Sequence, residues 1–166
     1  LRDLAQMMGG DQFSDMGGKA VAGMMTNMGA NEFGDLGKDK VADMAINMDP
    51  AHFKEMRGSA VAGMAMEMGA SEFGKLGVAR MGGMAMRMSS AEFGDLGKDK
   101  VADMAINIGG DQFANMGQNK VLDMVVNIGG EQFTRMGQDK VLDMAINMGG
   151  EQFASMGKDR VLDMAI

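Results

Sequence analysis

The sixteen residues EFGDLGKDKVADMAIN, Glu32 to Asn47, return unchanged as Glu92 to Asn107. Within this stretch Val41, Met44, Ala45 and Met48 fall at i, i+3, i+4 and i+7, the spacing of one helical face. Ala42 and Ile46 widen that face to an arc of roughly 200° at about 100° per residue, leaving Lys40, Asp43 and Asn47 outside it. So wide an apolar arc predicts a helix buried on more than one side, as between neighbours in a stack. Before it, Glu32, Phe33 and Leu36 make a shorter helical turn, closed by Gly37 in the manner of a C′ glycine.

Working outward, the same pattern fills the chain. Phe13, Phe33, Phe53, Phe73, Phe93, Phe113, Phe133 and Phe153 are all the Phe present, each twenty residues after the last, and Met24 through Met164 keep the same step. Counted from Gly9, the unit reads roughly G-G-x-[EQ]-F-x-x-[ML]-G-x-D-K-V-[AL]-D-M-A-I-N-M. Residues 1–166 are therefore one array, with a partial unit at 1–8 and units starting at 9, 29, 49, 69, 89, 109, 129 and 149. The identical stretches lie three units apart, which suggests duplication of a three-unit block. Leu1 and Ile166 fall inside the same helical segment of the unit, with no polar terminal unit, and arrays normally close with caps. The expectation is a window from a longer array.

Start signals support two helices per unit. Asp49-Pro50 offers an N-cap followed by proline at the first helical position, and Ser89 with Glu92 spells a capping box. Twenty residues also suits leucine-rich repeats, so a strand over 41–46 has to be weighed; Asp43 and Ala45 are poor strand formers, whereas Met and Ala favour helix. Glycine in every half unit excludes a coiled coil. The predicted fold is all-α, an αα-solenoid of eight 20-residue helix-turn-helix repeats whose core includes Phe33, Phe93, Phe133, Val41, Val101, Met44, Met104 and Met144. Because one unit buries too little to order itself, stability must come from stacking. Two local weaknesses are expected: Arg57, which stands where other units have Gly, invites strain, and Gly82 with Gly83 should weaken the helix from Val78 to Met88.

The composition narrows function. The 166 residues hold 24 Met and 26 Gly but one His, one Pro and no Cys, Trp or Tyr. Thiolate sites, disulfides and multi-His cages are excluded. The lone His52 sits at the third position of the Asp49-Pro50 helix start and reads as a surface capping-turn residue. Lys plus Arg number 16 against 23 Asp plus Glu, for a net charge of -7, so polyphosphates are repelled and nucleic acid or an anionic membrane is disfavoured as partner. No apolar run approaches the roughly 20 residues that span a bilayer. Lys40 with Asp43 and Lys100 with Asp103 read as i, i+3 pairs that would stack into ladders of alternating sign. Copied in every unit, such carboxylates give no single site with split pKa values, and no enzymatic activity or cofactor is expected.

Two further chemistries deserve weighing. Met64, Met66 and Met68, and Met84, Met86 and Met88, could offer thioethers to Cu(I), although most Met fall at core phases and only Met66 and Met86 of these clusters do not. The stretch VLDMVVNIGGEQ, Val121 to Gln132, resembles the helix, loop and Gly-Gly helix start of transcription-activator-like effector repeats. The resemblance implies that the paired loop residues Asn107 and Ile108, Asn127 and Ile128, and Asn147 and Met148 would enter a DNA major groove, the second of each pair reading the base. This unit is shorter than that family's, and the phase after Gly-Gly, basic and phosphate-facing there, is never Lys or Arg here. The asparagines otherwise read as partners for free carbonyls at the helix end. The favoured expectation is a non-enzymatic scaffold for structural assembly or protein–protein interaction, able to associate with further copies of itself.

Overall fold

The computed structural model describes residues 1–165. They form helices only, in the order α1 (Arg2–Met7), α2 (Gly10–Met16), α3 (Gly18–Met25), α4 (Ala30–Leu36), α5 (Lys38–Ile46), α6 (Pro50–Glu55), α7 (Gly58–Glu67), α8 (Ala70–Leu76), α9 (Val78–Arg87), α10 (Ser90–Leu96), α11 (Lys98–Ile106), α12 (Gly110–Met116), α13 (Gln118–Val125), α14 (Gly130–Met136), α15 (Gln138–Ile146), α16 (Gly150–Met156) and α17 (Lys158–Ala165). Even-numbered helices are the short halves of the units and odd-numbered ones the long halves. The fold is an all-α repeat solenoid, and none of these helices is long and apolar enough to cross a membrane.

A single glycine joins the short helix to the long one. Gly37 has φ 83° and ψ 160°, serving α4 as C-cap and α5 as N-cap. That conformation is open essentially to glycine alone. It also corrects the expected C′ glycine, since a left-handed helical cap would need ψ near 47°. The longer helix starts at once, in a new direction. Where Arg57 replaces this glycine, the short helix α6 ends at Glu55 and an extended pair, Met56 (φ -82°, ψ 157°) and Arg57 (φ -69°, ψ 141°), makes the link. Arg57 is therefore unstrained, contrary to expectation: the chain has given up a residue of helix instead.

The units do not stack two helices per turn. Each helix packs on the one three places along, α1 on α4, α2 on α5 and so on to α14 on α17. Three helices complete a turn, so three stacks run along the array, and short and long helices alternate within each. A two-helix unit in a three-helix turn returns to the same stack and helix type only after three units. That is the 60-residue offset between the two identical stretches.

The core is continuous across the turns. Phe33, Phe93, Val41, Val101, Met44, Met104 and Met144 are inaccessible to solvent, and Phe133 nearly so. Several contacts between turns are close enough to involve glycine on one side. The first residue of a short helix meets the middle of the long helix stacked on it: a Cβ added at Gly110 would sit 3.4 Å from Asp143 Oδ1, and one at Gly130 3.2 Å from Asp163 Oδ1. At two other contacts, where α4 begins with Ala30 and α6 with Pro50, the long helix supplies the glycine; Ala70 and Ser90 keep Asp103 and Asp123 at the same offset. A Cβ at Gly63 would lie 3.3 Å from Ala30 Cα, and one at Gly83 2.9 Å from the Pro50 carbonyl oxygen. What Gly82 and Gly83 lose in helix propensity is set against close packing, of the Pro50 backbone on Gly83 and of the Gln112 side chain on Gly82.

Two substitutions in the same phase should therefore have opposite signs. Gly83→Ala is expected to lower stability by about 1–3 kcal/mol through overpacking. Gly23→Ala, exposed with nothing within 4 Å of its Cβ, should raise it by about 0.5–1 kcal/mol through helix propensity. Thermal unfolding followed by circular dichroism separates the two.

Candidate functional site

The polar chemistry of the chain is concentrated where turns meet. The third residue of the long helix is a cation in most units, and its head group reaches back 32 residues to the carbonyl that follows an earlier long helix. Lys100 Nζ donates to the Met68 carbonyl at 2.7 Å and to that of Met66 at 2.8 Å. Arg80 Nε donates to Met48 at 2.7 Å. Lys40 with Met8, Lys120 with Met88, Lys140 with Ile108 and Arg160 with Ile128 repeat the bond. A helix C-terminus carries unpaired carbonyls and the negative end of its dipole, so a cation answers both needs. Ala60 lacks the cation, and Arg57 substitutes by donating to the Thr26 carbonyl from Nε at 2.9 Å.

These bonds correct the expected ladders. Lys40 and Lys100 form no ion pair with Asp43 and Asp103; the ion pairs that do cross turns are Arg2 with Asp35 at 3.0 Å, Lys38 with Glu72 at 3.6 Å and Arg135 with Asp103 at 2.6 Å. One signal in the sequence points the right way. Arg80 keeps its cation although Gly83 stands where the supposed partner would be, so the charge is needed for something else.

The asparagines at the helix ends turn inward on their own backbone. Asn107, Asn127 and Asn147 donate from Nδ2 to the carbonyls of Asp103, Asp123 and Asp143 at 2.9, 2.8 and 2.7 Å. Ile108, Ile128 and Met148, which the effector resemblance would set against base edges, are buried in the core. Their phase supplies part of the apolar seam between turns. Of the off-phase methionines, Met66 is 45% exposed on α7. Met86 lines a groove on α9, while Met64, Met68, Met84 and Met88 are buried. No cluster of three His, Cys, Asp or Glu able to hold a metal occurs among the described residues.

Helix starts use the third residue as an acceptor. Ser89 N donates to Glu92 Oε1 at 2.8 Å, Gly29 N to Glu32 Oε2 at 3.0 Å and Asp49 N to His52 Nδ1 at 2.9 Å, which fixes the imidazole as a capping group. Glu72 has the same role but is buried. Burial would raise its pKa, yet the N–H groups of Glu72 and Gly69 and the ammonium of Lys38 outweigh it and hold the carboxyl below its ordinary range.

Lys100→Met should lower stability by about 1.5–3 kcal/mol, the scale of a hydrogen bond to a charged group. Lys75→Met, an exposed change, should stay within about 0.5 kcal/mol in the same denaturant titration. For Glu72 the folded pKa lies below the unfolded value, so its contribution is present above about pH 4.3 and is lost as the pH falls through the folded value. The margin by which the wild type exceeds Glu72→Gln should therefore shrink on acidification, as melting temperatures from pH 7 to pH 3 would show.

Comparison of the chain with protein-family models, with curated proteins and with solved structures finds no match. Function is to be read from the chain's own geometry.

Proposed function

We propose that the chain is a non-enzymatic repeat scaffold that presents a periodic polar surface to protein partners, further copies of the same array among them. The observation that carries this reading is the division of labour within each unit: Phe, Val and the phased Met go to one continuous core, and the polar groups that recur from unit to unit are spent on joining turns. Lys at the long-helix start, Asn at its end and Glu or Gln at the short-helix start each satisfy backbone groups. What varies from unit to unit lies outside, at the exposed positions of the short helices and on the outer face of the long ones. Such a surface offers recognition through repetition and fixed spacing.

Two arms of one titration separate this reading from its rivals. The full chain, mixed with oligonucleotides at low salt, should show no mobility shift, and with Cu(I) it should not compete with a cuprous chelator. A salt-dependent shift would replace the scaffold by a nucleic-acid binder. Competition abolished by Met66→Leu with Met86→Leu would replace it by a metal function. In parallel, Phe93→Ala should cost about 3–5 kcal/mol in a single cooperative transition, as the loss of a fully buried aromatic from a shared core requires.

A further inference from the structure

Two of the three stacks differ in sign over part of their length. In one, α4, α7 and α10 carry Glu32, Asp35, Glu67, Glu92 and Asp95 and no Lys or Arg of their own; Arg2 of α1 pairs with Asp35, and the other four carboxylates have no ion-pair partner among the described residues. In another, α3, α6 and α9 carry Lys19, Lys54, Arg80 and Arg87 against Glu55 alone. Arg80 and Arg87 are bonded to the Met48 and Met56 carbonyls, neutral groups that leave the charge in place. Lys19 and Lys54 are exposed, and neither has an ion-pair partner among the described residues. A chain of net charge -7 thus keeps a cationic face beside an acidic one.

The cationic face is also indented. A groove of about 390 Å³ runs along α9, floored by Gly82, Gly83 and Met86, with Lys54 on one side and Gln112 and Asn115 on the other. Later units fill the corresponding positions with Leu122 and Asp123 or Leu142 and Asp143. On the acidic face the short helices α4 and α10 present exposed Gly34-Asp35 and Gly94-Asp95, slim ridges with a carboxylate at the crest. Ridges α4 and α10 lie two turns apart in their stack, as α3 and α9 do in theirs.

We propose that copies of this chain associate side by side, the acidic ridges of α4 and α10 of one copy seating against the cationic face formed by α3, α6 and α9 of the next. This rests on the scaffold reading and names its partner as a second copy. Charge complementarity and the shared two-turn spacing select that occupant: an acidic partner cannot face the ridges, and a basic one cannot face Lys19 and Lys54. Because the two faces differ, each contact leaves one free face of either sign, so association propagates or closes into a ring rather than stopping at a two-fold dimer.

Sedimentation velocity of the full chain tests this at about 0.01 M and about 1 M salt, between which the screening length falls from about 30 to 3 Å. Association is expected at the lower salt and its loss at the higher. Asp35→Lys with Asp95→Lys, and separately Lys19→Glu with Lys54→Glu, should each weaken self-association by at least about a hundredfold through like-charge contact. An equimolar mixture of the two variants should restore it, with helical circular dichroism unchanged throughout. A monomer at low salt would overturn the proposal. So would association indifferent to salt and to both variants, which would move the contact to the exposed apolar residues Leu142, Ile146 and Leu162. Neither outcome touches the scaffold reading, which stands or falls on the oligonucleotide and Cu(I) arms.

Discussion

The carbonyl that follows a long helix finds its donor 32 residues downstream, on a helix two units further along. Water could satisfy that carbonyl at a free helix end, but between turns of a packed array it is half-buried, and an unpaired acceptor there would carry a desolvation cost of about 1–3 kcal/mol. The cation that answers it must therefore be placed accurately, and only one rotation between turns does so. The bond recurs along an array with three helices per turn, short and long helices alternating in each stack and the Phe series buried. The glycine junction makes it reachable: with a single residue between helices, the long helix begins before the chain can drift.

The helices were legible from the residues because each carries its own evidence. Period 3.6, Asp49-Pro50, Ser89 with Glu92 and the recurrent glycines are local signals, and local physics decides where a short helix starts and stops. How many helices make a turn was not legible in the same way. A wide apolar arc on 41–48 says that the helix is covered on more than one side, and it is silent on whether the cover comes from the next helix or the third. The information lay in relations between units, above all in the 60-residue identity of 32–47 and 92–107 and in the retention of Arg80 opposite Gly83.

Glycine shows why phase matters more than propensity here. Gly23 and Gly83 share a phase, and a propensity scale treats them alike. In the folded chain the first faces open space and the second faces the start of α6, where Pro50 has taken the room that Asp would need. At Pro50 and Gly83 the residue at one end of the contact limits the other, across 33 positions of sequence.

The same reasoning bears on the helix, Asn, apolar residue, Gly-Gly sequence of the candidate site. An asparagine at a helix end followed by an apolar residue and two glycines solves a local problem: the amide closes a carbonyl of the last turn, the glycines let the chain reverse, and the apolar side chain is free to point either way. Which way it points is decided by what lies behind it. A three-helix turn brings the next stack against that loop and takes Ile108, Ile128 and Met148 into the core. Exposing them to a ligand would open an apolar seam in every turn at once, a cost of about 1.5–3 kcal/mol per side chain. The loop here serves as a joint between turns, and the side chains that differ between units lie on the outer faces.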